Sequence, residues 1–368
     1  MNILILGGTG AMGVPLVQKL SDDKNNQIYV TSRHKRESHN TNIHFVQGNA
    51  HNLNMLNKLC SEYHFDAIVD FMIYGSAEFK QRIDSFLSKT DQYVFLSSCR
   101  VYANNNEIIT ENTPRLLDTV KDSAYLATDE YALRKAREED MLRNSGRNNW
   151  TIIRPYITYN RNRLQLGTLE KEHWLRRALL HKTIVLTKKT AESITSLTYG
   201  EDVSNAIAAV IGNEKCYGQA FHIVNEESMT WKQVLLIYLD IFESVMGYRP
   251  KVQFLDDWQN FANVLGNQYQ MKYDRFFNRK FDSSKIEKFT GEKINYKVIK
   301  EGLTECLTEF LEDQQATANM STDWSYEGYV DRITGEHNRL ADINGMKNKL
   351  KYIWWRCLPI KIVMLKIV

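Results

Sequence analysis

Several things are scarce in this sequence. There are five cysteines in 368 residues (Cys60, Cys99, Cys216, Cys306, Cys357), odd in number, scattered and without metal-ligand spacing. That pattern fits free thiols in a reducing cytoplasm and argues for no metal site. Charge of one sign is also scarce: 47 basic and 44 acidic residues leave +3, too little to argue for nucleic acid as a partner. No uncharged apolar run reaches the roughly 18–20 residues of a membrane span. The first residues have no basic flank and no long apolar core, so no signal peptide is expected. Internal repeats and low-complexity stretches are missing. The 43% hydrophobic and 25% charged content is that of an ordinary soluble globular chain, and the length is a prior for two domains.

What is present starts at the first residues. Met1-Asn-Ile-Leu-Ile-Leu-Gly7-Gly8-Thr9-Gly10-Ala11-Met12-Gly13 reads as a short buried strand that ends in glycines spaced GxxGxxG. Gly7 permits a tight turn, Gly10 lets a phosphate approach the backbone without meeting a Cβ, and Gly13 lets the next helix pack closely. That helix, about Met12 to Leu20, would point unpaired N–H groups at a pyrophosphate. A strand over Gln27–Ser32 follows at the distance a dinucleotide-binding unit requires.

Thr31, Ser32, Arg33, His34, Lys35 and Arg36 follow at the end of that second strand, with no carboxylate before Glu37. An acidic residue there would bind a ribose 2′-hydroxyl, whereas a basic one can pair with a 2′-phosphate, so NADP is favoured over NAD. Further strands are expected at His44–Asn49, Phe65–Phe71 and Tyr93–Ser98, with helices at about Leu53–Glu62 and Glu78–Leu87. Alternating strand and helix points to a parallel doubly wound sheet.

Two features carry the chemistry. Ser97-Ser98-Cys99-Arg100-Val101-Tyr102 lies at the carboxyl end of the fifth strand, the edge where ligands bind in open α/β sheets. Tyr131 and Lys135 stand at i and i+4 in an expected helix from about Thr128 to Asn144 and share one face. An ammonium beside a phenol favours the phenolate. Tyr131 could then exchange a proton with a substrate oxygen that Ser98 holds by a hydrogen bond.

With these pieces the chain resembles the extended short-chain dehydrogenase/reductase superfamily, specifically the NAD-dependent epimerase/dehydratase family. The resemblance runs from Met1 to about Asp313. It rests on the glycine motif, Ser98 with Val101-Tyr102, Tyr131 with Lys135, Ile153-Arg154-Pro155-Tyr156, Tyr199-Gly-Glu-Asp202-Val203 and Gly218-Gln-Ala-Phe-His-Ile-Val224. It implies a Rossmann sheet (1–159 with 196–225) and a smaller α/β substrate domain (160–195 with 226–315). It implies Ser98, Tyr131 and Lys135 as catalytic residues. It also implies a dinucleotide, NADP or NAD, held by Gly7, Thr9, Gly10, Ala11, Met12, Gly13, Arg33, Asn49, Phe71, Lys135, Pro155 and Ile157. Lys135 is expected to reach the nicotinamide ribose. The implied function is hydride transfer on a nucleotide-activated sugar. A keto-sugar reductase without epimerisation and a non-catalytic dinucleotide-binding sensor or scaffold stay open as alternatives. A homodimer through helices near Phe79–Leu87 and Thr128–Asn144 is also implied.

Three departures qualify this. The stretch from Ser98 to Tyr131 is long, which suggests an enlarged loop over the site. Cys99 and Arg100 occupy the positions where the family's dehydratases carry Asp-Glu. Thr195 stands where its epimerases commonly carry a diphosphate-binding arginine; Arg161, Arg163, Arg176, Arg177, Lys188 and Lys189 could serve instead. Asp202 is expected as a helix N-cap. Helices are also expected at Leu169–Leu180, Thr230–Val245 and Val298–Glu312. Residues 316–323 read as a linker. Lys347–Val368, with six basic residues and no acidic one, suits either an interfacial helix on anionic lipid or a segment docked on its own domain or on a second subunit.

Overall fold

The computed structural model describes residues 1–357. Seven strands form the central sheet: β1 (Asn2–Leu6), β2 (Gln27–Ser32), β3 (Ile43–Gln47), β4 (Phe65–Asp70), β5 (Thr90–Leu96), β6 (Trp150–Pro155) and β7 (Gln219–Ile223). The helices include α1 (Gly13–Ser21), α2 (Leu53–Glu62), α3 (Tyr131–Arg143), α4 (Lys171–Leu179), α5 (Gly200–Val210), α6 (Trp231–Met246), α7 (Ser284–Thr290), α8 (Trp324–Thr334) and α9 (Met346–Cys357); Trp258–Leu265 and the expected Ile299–Glu312 are helical as well. Two compact units result: 1–160 with 196–228 and 279–299, and 161–195 with 229–278 and the residues from 300 on.

The strand order in the first unit is β7-β6-β5-β4-β1-β2-β3, with every pair parallel. Alternate residues of each strand serve opposite faces. Ile3, Ile5, Val30, Val69 and Val94 bury against Leu16 and Val17 of α1 and Val203 and Ile207 of α5. Leu4, Leu6, Ile68, Phe95 and Ile152 bury against Leu56 of α2, Phe79, Phe86 and Leu142. Both faces are covered, so the strands read in the sequence as near-continuous apolar runs. The order reverses between β1 and β4, which opens a crevice at their carboxyl ends.

Four expectations need correction. The helix expected over Glu78–Leu87 is two short ones, Ser76–Lys80 and Ile83–Ser88; between them buried Arg82 donates to the Ala50 carbonyl at 3.1 Å. The residues from 279 to 299 join the first unit, because Ile286 of α7 enters the core beside Phe221. Asp202 is not the cap of α5. The cap position is Tyr199, while Asp202 Oδ2 accepts the Lys297 N–H at 2.8 Å. The long stretch before Tyr131 is not an open loop: it carries short helices at Leu116–Thr119 and Ser123–Leu126, and Ile109 bridges to Phe281.

In the second unit α6 starts with a capping box at Thr230 and Gln233 and ends at Gly247, φ 77°. Part of the expected linker is helical (Gln314–Ala318). Helices α8 and α9 pack together where Gly328 lets the backbones meet; a Cβ there would lie 2.5 Å from the Tyr352 carbonyl oxygen. Buried Arg177 of α4 ties α8 down, reaching Glu327 at 2.8 Å, Asp331 at 3.0 Å and Glu336 at 2.6 Å. Among the described residues no helix is long and apolar enough to cross a membrane. Residues 358–368 of the expected interfacial segment lie outside the described residues.

Candidate active site

The glycine turn follows β1 at the crevice between β1 and β4. Gly7 adopts φ 73°, and a Cβ on it would come 3.1 Å from Met72 Sδ and 3.5 Å from Phe71 Cβ. Gly13 has no room either: its Cβ would fall 2.5 Å from the Gly8 backbone. Gly10 differs. It is exposed, and a Cβ on it would meet only the Gly7 carbonyl oxygen at 3.8 Å, so nothing in the first unit needs a glycine there. Thr9 is exposed, Ala11 and Met12 are half-buried, and the N-terminus of α1 has no side-chain cap. Open backbone at Gly10 and the N–H groups of Ala11, Met12 and Gly13, which donate to no described residue, are what a pyrophosphate requires; the Val14 N–H is already given to the Gly10 carbonyl at 3.1 Å and Pro15 has none. Helix α5 braces the turn: Ser204 Oγ donates to the Met12 carbonyl at 2.7 Å.

At the end of β2, Thr31 Oγ1 accepts the Gly7 N–H at 3.2 Å and Ser32 Oγ donates to the His34 carbonyl at 2.8 Å. Both hydroxyls are thus used internally. Arg33 is exposed, and Lys35 pairs with Glu37 at 3.1 Å. Asn49 is exposed; its side-chain oxygen accepts the His51 N–H at 3.1 Å, the bond of a turn residue. Phe71 is half-buried at the end of β4. Pro155 ends β6 and is buried. Ile157 sits at φ 37°, a strained value for a β-branched residue, and its carbonyl accepts the Thr198 N–H at 3.1 Å.

The two serines after β5 have different duties. Ser97 Oγ donates to Glu139 Oε1 at 2.6 Å in the interior. Ser98 Oγ accepts the Arg100 N–H at 3.2 Å and donates to no described residue. Arg100 joins this turn to the start of α3. Its guanidinium pairs with Glu130 Oε1 at 2.6 Å and lies 5.0 Å from the Tyr131 ring centroid. Glu130 caps α3 by accepting the Ala132 N–H at 2.8 Å. Tyr131 is half-buried, and its hydroxyl bonds to no described residue.

Lys135 is buried, whereas the expected ribose contact would need its ammonium open to the cofactor. Nζ lies 4.4 Å from the Phe95 ring centroid and 3.0 Å from Glu138 Oε2, outside hydrogen-bonding geometry. Burial outweighs the attraction of Lys135 and pushes the Glu138 carboxyl up to about 6. Burial also raises Asp70, despite hydrogen bonds from the Met72 N–H at 2.9 Å and the Tyr93 hydroxyl at 2.8 Å.

Under the turn that follows β5 runs a buried polar chain that sequence reasoning missed. Glu139 accepts from Arg154 Nε at 2.7 Å and Nη2 at 2.5 Å. Burial alone would raise the Glu139 carboxyl, but Arg154 holds it below the usual range. Arg154 donates to the Tyr102 hydroxyl, which stands 2.6 Å from His222 Nε2. His222 Nδ1 faces the Asp282 carbonyl at 3.0 Å. A carbonyl only accepts, so Nδ1 carries the proton and the Tyr102 hydroxyl donates to Nε2. Burial lowers the His222 pKa, in keeping with a neutral ring. One signal was available: an arginine inside an otherwise apolar strand needs a buried partner. Cys99 donates to the Arg154 carbonyl at 3.1 Å, and burial drives its thiol pKa well up.

The basic residues offered for a diphosphate are mostly engaged. Arg177 is spent on its carboxylates, Arg161 pairs with Asp313, Lys188 with Asp256 at 2.7 Å, and Lys189 lies over Phe276 at 4.4 Å. A cavity of about 510 Å³ in the second unit, lined by Arg176, Trp324, Asp342 and Asn348 among others, includes none of the proposed catalytic residues.

An all-parallel sheet with a glycine turn at its switch point defines a Rossmann-type α/β protein. The NAD dependent epimerase/dehydratase family matches over residues 3–223, and the chain belongs to that family of enzymes. Comparison with curated proteins gave no match. Among solved structures, dTDP-glucose 4,6-dehydratase from Bacillus anthracis, in complex with NAD, is similar at TM-score 0.66 and 16% identity, over 87% of this chain and 100% of that one. UDP-glucuronic acid 4-epimerase from Bacillus cereus, in complex with UDP-glucuronic acid and NAD, is similar at 0.63 and 16%, over 85% and 99%. An epimerase from Methanothermobacter thermautotrophicus is similar at 0.66 and 14%, over 88% and 95%.

Proposed function

We propose that this enzyme oxidises a carbinol carbon of a nucleotide-activated sugar and, as an epimerase, returns the hydride to the opposite face. The observation that carries this is the division of labour between the serines. Ser97 is locked to Glu139, which leaves Ser98 Oγ, beside an Arg100 stacked on Tyr131, as the hydroxyl able to donate outward. A nicotinamide dinucleotide supplies the hydride acceptor when bound. Its pyrophosphate would rest on the amides of Gly10 to Gly13, and Phe71, Pro155 and Ile157 would lie on the nicotinamide side.

Tyr131 takes the proton of the sugar hydroxyl, and Ser98 donates a hydrogen bond to the same oxygen. Lys135, one helical turn on from Tyr131, would favour the phenolate as a cation on the same helix. Cys99 and Arg100 at the acid-pair positions speak against dehydration: the buried thiol has a raised pKa and the guanidinium is already paired. NADP is the favoured dinucleotide, because the end of β2 offers exposed Arg33 and no carboxylate before Glu37.

The test is direct. The purified chain is titrated with NAD and NADP, then assayed with UDP-, dTDP- and GDP-sugars. Tighter NADP binding and turnover of at least one sugar are expected. Tyr131→Phe should lower kcat by roughly 100-fold or more and leave dinucleotide affinity nearly unchanged. Equal turnover by both forms would remove Tyr131 from the mechanism.

A further inference from the structure

Helix α9 is apolar on two opposite faces. One is occupied: Tyr352 and Trp355 are buried, Tyr352 packs at the Gly328 crossing, and its hydroxyl donates to Asp331 at 2.8 Å. The other is bare. Met346 is 71% exposed, Leu350 60% and Ile353 37%, and Cys357 is exposed as well. These residues recur at i, i+4, i+7 and i+11, which makes one continuous stripe. Tyr352 and Trp355 stand two residues further on from Leu350 and Ile353, about 200° round the helix. A helix that served only to dock on its own unit would carry polar side chains on that outer face.

The charges beside the stripe are of one sign. Lys347 and Lys351 are exposed, Lys349 and Arg356 are half-buried, and no acidic residue occurs from 347 to 368. Residues 358–368, Leu-Pro-Ile-Lys-Ile-Val-Met-Leu-Lys-Ile-Val, continue the same composition in sequence. We propose that this face of α9 lies on an anionic lipid bilayer, with Met346, Leu350 and Ile353 at the acyl boundary and Lys347 and Lys351 against the lipid phosphates. A second copy of the chain fits less well, because two-fold pairing of the stripe would set lysines against lysines. The contact is peripheral, since α9 is too short to span. It does not depend on the sugar chemistry proposed above.

Sedimentation of the full chain with sucrose-loaded vesicles tests this. Pelleting with phosphatidylcholine–phosphatidylserine vesicles is expected, weak with phosphatidylcholine alone and reduced by salt. Leu350→Glu with Ile353→Glu should lower partitioning at least about tenfold. Lys347→Ala with Lys351→Ala should lower it about tenfold on anionic vesicles only. All four positions are exposed or partly so, and an unchanged Tm and far-UV spectrum would show that the variants fold. The proposal is overturned if the wild-type chain does not pellet with anionic vesicles, or if the Leu350/Ile353 variant pellets as well as wild type. It is equally overturned if that variant instead turns a dimer into a monomer in vesicle-free buffer, which would assign the stripe to a second copy.

Discussion

The Arg100 guanidinium lies 5.0 Å from the Tyr131 ring centroid while its Nη2 stands 2.6 Å from Glu130 Oε1. One side chain thus fixes both the capping carboxylate of α3 and the phenol proposed to exchange the proton. Arg100→Gln loses the stacking cation and leaves Glu130 without its ion pair. Because proton transfer depends on orientation, kcat should fall by about 10- to 100-fold with a smaller change in KM. Steady-state kinetics on the substrate identified above would read this; an unchanged kcat would reduce Arg100 to a surface pair.

Gly10 and Gly13 should respond oppositely to an added side chain. Gly13→Ala drives a Cβ into the Gly8 backbone and should destabilise the first unit, with a Tm loss of several degrees. Gly10→Ala adds a Cβ that meets only the Gly7 carbonyl oxygen at 3.8 Å and should leave Tm within a degree or two, yet weaken dinucleotide binding by about tenfold or more. Thermal melts paired with cofactor titration separate the two.

Glu138 gives a pH signature. Its folded-state pKa is raised to about 6 by burial, so the folded chain holds a proton that the unfolded chain releases nearer 4.5. Stability from this group is fully present below about 4.5 and is lost as pH rises through about 6. Glu138→Gln should flatten that slope between pH 4.5 and 6.5, measured by urea denaturation at each pH. A slope identical to wild type would contradict the assignment.

Arg177 is a structural cation, although the sequence offered it as a phosphate ligand. Arg177→Met takes the nearest cation from buried Glu327, which keeps only Arg176 at 3.5 Å and Lys182 at 3.9 Å, while Asp331 retains Lys182 at 2.8 Å, and it should cost about 3 kcal/mol. The loss should appear in denaturant unfolding, with nucleotide-sugar affinity unaffected. Weakened nucleotide-sugar binding in a folded variant would restore the ligand reading.

The strands of the sheet were legible because both of its faces are buried, which leaves unbroken apolar runs such as Ile3–Leu6 and Ala67–Val69. The glycine turn was legible because Gly7 and Gly13 have no room for a side chain. The pairings that brace the site were not. Glu139 meets Arg154 across 15 residues, Tyr102 meets His222 across 120, and Asp202 meets Lys297 across 95. Local spacing carries no trace of such contacts. Asp202 looked like a cap because caps are local; its real partner is set by where the segment before Ile299 returns to the first unit.

The crossing of α8 and α9 leaves no space for even one carbon at Gly328. The last described helix of the second unit is therefore held to a tolerance of a single methyl group. Alanine at that position would act as a wedge, prising α9 off α8 while leaving every residue of α9 itself in place.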